Sequence, residues 1–124
     1  MDGVIDLRPT VCTLLLYAGD GFTIKLSCLD TEGTPIDITG TVSAQIRADR
    51  IHPNDPPLVS FIASLVDAYL GIIILSLTSA QTADLLGNNA DKFTGVWDVQ
   101  WTPADKEPRT LIQGTVECVA DVTR

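Results

Sequence analysis

Phe22-Thr23-Ile24-Lys25-Leu26-Ser27-Cys28 sets an apolar residue at every second position, with Thr, Lys and Ser between. A period of two sends successive side chains to opposite faces of an extended chain, so this stretch predicts a strand with one face in a core. The alternation returns downstream. Val42, Ala44 and Ile46 alternate with Ser43, Gln45 and Arg47, and Trp97, Val99 and Trp101 alternate with Asp98 and Gln100. Val59, Phe61, Ala63 and Leu65 form another run, less regular because Ile62 falls on its outer face. In the last run, Thr110 to Val122, Ile112, Gly114, Val116, Cys118 and Ala120 share one side. Leu70 to Leu77 is a continuous apolar run rich in isoleucine, as expected of a strand buried on both sides or placed at an interface.

The segments between carry turn chemistry. Asp30-Thr31-Glu32-Gly33-Thr34-Pro35 reads as a hairpin-type loop, with Gly33 available for positive φ. His52 to Pro57 holds Pro53, Pro56 and Pro57, which remove three donors and cannot continue a strand. Asp67 to Gly71 makes a reversal, and Thr102 to Pro108 links the last two strands. One segment breaks the pattern: Thr78 to Gly87 predicts a two-turn helix over about residues 79–86, capped by Thr78 or Ser79 and closed by Gly87. Ala83 and Leu86 share the face expected to dock. The sum is an all-β domain, an antiparallel sandwich of about seven strands with one short helix. Residues 20–124 form the sandwich, and residues 1–19 are either its first strand or an N-terminal arm that pairs with a neighbouring subunit.

The chain has 124 residues, 45% of them hydrophobic, and 16 acidic against 8 basic side chains give a net charge of −8. That is one globular domain rather than a disordered chain. The basic residues are scattered singly, whereas nucleic-acid binding needs them clustered, so no nucleic-acid partner is expected. The apolar runs Val11 to Ala18 and Leu70 to Leu77 are shorter than the roughly 20 residues that span a bilayer, so membrane insertion is not expected. Met1-Asp2-Gly3 opens without the basic stretch of a secretory signal, which points to synthesis in the cytoplasm.

The search for chemistry is short. His52 is the single histidine, in a proline-rich loop with no GxSxG turn to partner it. Gly19-Asp20-Gly21 is a turn, not a phosphate loop. Most aspartates fall in turns, and Asn88-Asn89-Ala90-Asp91 lacks the spacing of a calcium loop. Cys12, Cys28 and Cys118 form no CxxC pair and read as small buried hydrophobes; a bond between Cys28 and Cys118 across the sandwich is the alternative. Trp97, Trp101, Phe93 and Tyr69 suggest a sugar-stacking platform, although the parity of the two tryptophans with Val99 favours core packing. No catalytic residue, cofactor or metal is expected, which leaves a binding or structural module.

Three groups of residues carry a resemblance: Gly21-Phe22-Thr23-Ile24-Lys25-Leu26, then Asp30-Thr31-Glu32-Gly33-Thr34-Pro35-Ile36-Asp37-Ile38-Thr39-Gly40, then Val42-Ser43-Ala44-Gln45-Ile46-Arg47. With Leu75 to Leu85, and with Val96 to Trp101 followed by Arg109 to Val116, they make the chain resemble the small immunoglobulin-like domain of tailed-bacteriophage structural proteins over about residues 20–120. The resemblance implies an immunoglobulin-like sandwich in a virion protein of the minor tail or baseplate type, made in the bacterial host cytoplasm. It implies other virion structural proteins as partners, a homo-oligomer within the particle, and no catalytic residues. Such domains often precede larger parts, whereas this sequence ends at Arg124, which suggests a small adaptor or a capsid-decorating or head-tail accessory subunit. The candidate contact residues are Val11, Leu14, Leu16 and Tyr17 of the N-terminal segment, with Ile72 and Ile74 of the isoleucine run. A carbohydrate-binding adhesion module, recognising a host-surface glycan, is the further alternative.

Overall fold

A computed structural model of the protein describes residues 10–30, 32–49, 57–87, 91–104 and 106–120. The described residues form β1 (Thr10–Val11), β2 (Leu14–Ala18), β3 (Phe22–Ser27), β4 (Gly40–Arg47), β5 (Val59–Ser60), β6 (Ile62–Asp67), β7 (Ile72–Leu77), α1 (Ser79–Leu86), β8 (Lys92–Pro103) and β9 (Arg109–Ala120). One sheet has the order β9-β8-β4-β5, with β1 and β2 both beside β9; the other has the order β3-β7-β6. The two pack as an all-β sandwich with immunoglobulin-type connectivity, carrying a short extra strand, β5, beside β4.

The alternating residues fill the space between the sheets. Ala44, Ile46, Trp97, Val99, Val116 and Cys118 point in from one sheet, and Ile73, Leu75 and Leu77 from the other, all buried. The isoleucine run therefore alternates as well: Ile73 and Leu75 are fully buried, while Ile72 and Ile74 lie half-buried on the outer side. The run from Val59 to Leu65 is divided between the sheets. Val59 pairs with Ile46 of β4, Ile62 pairs with Ser76 of β7, and the chain changes sheet at Phe61. The Phe61 amide donates to the Ala44 carbonyl, and its ring lies 6.5 Å from Phe22 and 6.0 Å from Trp97. A bulky side chain at the crossing keeps both sheets anchored to one aromatic cluster.

The N-terminal segment completes the chain's own sheet. β1 and β2 run parallel to β9, Thr10 opposite Ile112 and Leu14 opposite Val116, among otherwise antiparallel strand pairs. Between them, at Cys12, the backbone turns its carbonyl inward to accept the Trp97 indole N–H at 2.9 Å, while the Cys12 amide still donates to Gln113. Gly114 sits opposite Trp97 on β9, and the Cys12 backbone passes so close that a β-carbon at Gly114 would collide with its carbonyl. Glycine here is a requirement of close backbone approach.

Gly114→Ala is expected to destabilise the domain by about 3 kcal/mol, at the upper end of overpacking costs, because backbone must move. Gly33→Ala, at φ +81° in open space, is expected to cost only about 1 kcal/mol. Urea unfolding of the two variants tests the contrast, and equal losses would contradict the close approach at Cys12.

Candidate functional site

Three outward surfaces are available for function. The first is the edge formed by β2. Alternation divides the sequence candidates here: Leu14 and Leu16 are buried in the chain's own core, whereas Val11 (75% exposed) and Tyr17 (48%) face out with Leu15. Thr13 lies between them and shares a 3.2 Å hydroxyl contact with Thr115 of β9. Lys92 and Glu117 form an ion pair next to this row.

The second surface is the outer face of β3-β7-β6. Ile72 and Ile74 lie along its central strand, flanked by Ile62 (55% exposed) and Val66 (56%) of β6. A bulge between Leu65 and Asp67 sets Val66 outside the ladder. Ile62, the outward residue that disturbed the alternation in sequence, belongs to this apolar strip.

The third surface is the outer face of β4, β8 and β9, where a recess of about 260 Å³ is lined by Gln45, Arg47, Asp49, Asp98, Gln100 and Gln113. The Arg47 guanidinium donates to the Gln45 side-chain oxygen at 2.9 Å. These amides and charged groups can hydrogen-bond a partner. The set contains no hydroxyl or thiol nucleophile, and no three metal-ligating side chains cluster anywhere among the described residues.

The 30–40 segment that carries the resemblance is held by its own side chains. The Asp30 carboxylate accepts the amides of Glu32 and Thr34, both at 2.9 Å. Asp37 accepts the Thr39 hydroxyl at 2.6 Å and the Thr39 amide at 3.0 Å, which together hold its carboxyl below the usual carboxylate range. Ile38 is fully buried between these polar turns. The aspartates of the motif therefore shape the crossing from β3 to β4, with Ile38 as its apolar plug.

Thr82 is a residue that sequence pattern missed. Thr78 caps α1 in a reciprocal pair with Gln81, and Gly87 follows at φ +54°. The docked face is Thr82, Leu85 and Leu86, so Leu86 packs as expected but Ala83 faces solvent. The helix is turned by a polar preference: the fully buried Thr82 hydroxyl accepts the Gly19 amide at 3.0 Å and lies 2.8 Å from the Asp20 carbonyl. The β2–β3 turn and the helix are thus tied through one side chain. An apolar count could not find this, because threonine at that position looks like an exposed residue.

The cysteines and tryptophans belong to the interior. Cys28, at the Gly71 end of the sandwich, and Cys118, whose thiol reaches the Thr82 carbonyl at 3.5 Å, lie at opposite ends. The six residue steps of strand from Phe22 to Cys28 span about 20 Å, so the alternative bond between these cysteines is ruled out by geometry. All three thiols are free, and burial pushes those of Cys28 and Cys118 up. Trp97 and Trp101 are both buried, their indole N–H groups bonded to the Cys12 and Thr39 carbonyls, so neither offers a face to a sugar. Tyr69 is exposed at the β6–β7 turn. The expectations for His52 and its proline-rich loop (residues 50–56), for Asn88 to Ala90, and for residues 1–9 lie outside the described residues. No described helix is long and apolar enough to cross a membrane. No known protein-family model matches the chain, and no curated protein matches it in sequence.

Thr82→Val removes the hydroxyl that bonds the Gly19 amide and the Asp20 carbonyl, and is expected to cost about 1–3 kcal/mol in urea unfolding for the two hydrogen bonds lost. Ala83→Ser, on the solvent side, should stay within about 0.5 kcal/mol. For the thiols, raised folded-state values mean that stability is fully present below the ordinary thiol range and declines as pH climbs through it, since unfolded thiols ionise first. In native alkylation followed by mass spectrometry, half-buried Cys12 should label first, and Cys28 and Cys118 only on unfolding. Simultaneous labelling of all three would contradict their burial.

Proposed function

We propose that the protein is a non-enzymatic structural subunit of a tailed-phage particle, a minor tail protein of the tail tip or baseplate that works through protein–protein contacts. The observation that carries this reading is the pair of outward apolar strips on so small a domain. One is Val11 of β1 with Leu15 and Tyr17 of β2; the other is Ile62, Val66, Ile72 and Ile74 on the three-stranded sheet. Solvent-facing aliphatic rows on two sheets are costly to a free monomer and useful to a subunit that is covered on assembly. The motif residues support the same reading. Asp30, Asp37, Thr39 and Ile38 hold a crossing between sheets, a structural use of the motif. The net charge of −8 keeps such a subunit soluble before it docks, and suits a basic patch on a neighbour.

Quantitative mass spectrometry and a cryo-EM map of purified particles test this directly. A few copies at the tail tip are expected; copies spread over the head would identify a decorating subunit instead, and absence from the particle would overturn the reading. Leu15→Glu, which alters an exposed side chain, should reduce incorporation about tenfold if the β2 strip is a docking surface. Leu16→Glu is no substitute, because it places a charge in the core and unfolds the domain.

A further inference from the structure

We infer that the outer face of β3-β7-β6 is a self-docking surface, on which a second copy of this chain packs face to face about a two-fold axis along β7. Cross-strand register arranges the face in three rows: Thr23, Ser76 and Ile62; then Lys25, Ile74 and Ser64; then Ser27, Ile72 and Asp67. The centre and one flank are aliphatic, from Ile72, Ile74, Ile62 and the bulged Val66. The small hydroxyl residues around them let a second sheet approach to the roughly 10 Å at which sheets interdigitate.

Charge selects the occupant. The chain as a whole carries −8, so two copies repel unless they meet on a surface without net charge. These three rows contain one cation and one anion, Lys25 on the β3 edge and Asp67 on the β6 edge. A two-fold axis along the central strand exchanges the edges, so the β3 edge of one copy lies over the β6 edge of the other. Lys25 then faces the partner's Ser64, one row from the partner's Asp67, an offset of about 7 Å that a lysine side chain covers. The contact is isologous, so the pair forms twice. Asp67 is held for this role by the Leu70 amide, which donates to its carboxylate at 3.2 Å. A membrane surface or a strongly basic partner would call for one sign of charge across the face. Opposite signs at opposite edges suit a copy of the face itself. The dimer needs this face alone and does not depend on the chain being a virion subunit.

Sedimentation velocity of the full chain, at concentrations up to about 1 mM, is the test. The wild type is expected to show a monomer–dimer equilibrium. Ile62→Glu, at an exposed position, should weaken it about tenfold. Lys25→Glu and Asp67→Lys should each weaken it by about two- to fivefold, and the double exchange should restore it. Leu15→Glu adds the same charge as Ile62→Glu on a different face and should leave dimerisation unchanged. A wild type that stays monomeric throughout, a dimer indifferent to Ile62→Glu, or a dimer lost through Leu15→Glu would each overturn the assignment. Circular dichroism of each variant confirms that it is folded.

Discussion

The sandwich depends on what surrounds one indole. Trp97 is a buried aromatic on the long strand β8, and its ring reaches Phe61 at the point where the chain passes from one sheet to the other. Its N–H is bonded to the Cys12 carbonyl, which fixes the first strands against the last. A buried indole donor must find an acceptor, and here the acceptor comes from a backbone bent inward across Gly114. One side chain thereby joins the N-terminal segment, the last hairpin and the sheet crossing. The parallel edge, the glycine on β9 and the bulky residue at the crossing follow from that arrangement.

With the core closed in this way, the outward residues acquire meaning. A two-layer sandwich uses one face of each strand, and an apolar residue on the other face has no partner within the domain. Most outward positions of this chain are Thr, Ser, Lys, Gln or Asp, as a soluble sheet requires. Leu29, Leu58, Tyr69 and Leu70 are exposed in the connections, while on the strands the exposed exceptions are concentrated in two strips, on β1–β2 and on β6–β7. One lies on an edge strand of the larger sheet, the other on the outer face of the smaller. A subunit with two such surfaces on different sheets can meet a copy of itself with one and a different neighbour with the other.

Much of the architecture was legible in the amino-acid order. The alternation at 22–28, 42–46 and 97–101 marked strands, and the turn residues at Asp30 to Pro35 and Asp67 to Gly71 marked reversals. Thr78 or Ser79 marked the start of a helix and Gly87 its end, and the structure gives the cap to Thr78. The contact surfaces were legible only in part. Leu14 and Leu16 look the same in sequence as Leu15 and Tyr17 between and beside them, and which pair faces inward is set by the pairing with β9. Thr82 was out of reach for a related reason: its burial is explained by the Gly19 amide it receives, a partner 63 positions away.

The sequence by itself determined that this is an all-β chain with one capped helix, because side-chain period, glycine and proline placement and capping chemistry act over a few neighbouring residues. It also determined an acidic, weakly basic surface and a surplus of aliphatic residues over what one-sided strands need. Only the tertiary structure decided that the first strands close the chain's own sheet, that the Val59 to Leu65 run divides at Phe61, and that Ile72 and Ile74 look outward while Ile73 and Leu75 fill the core. The reason is physical: a period of two says that a strand has two faces, and only the packing of one sheet on another says which of them is covered.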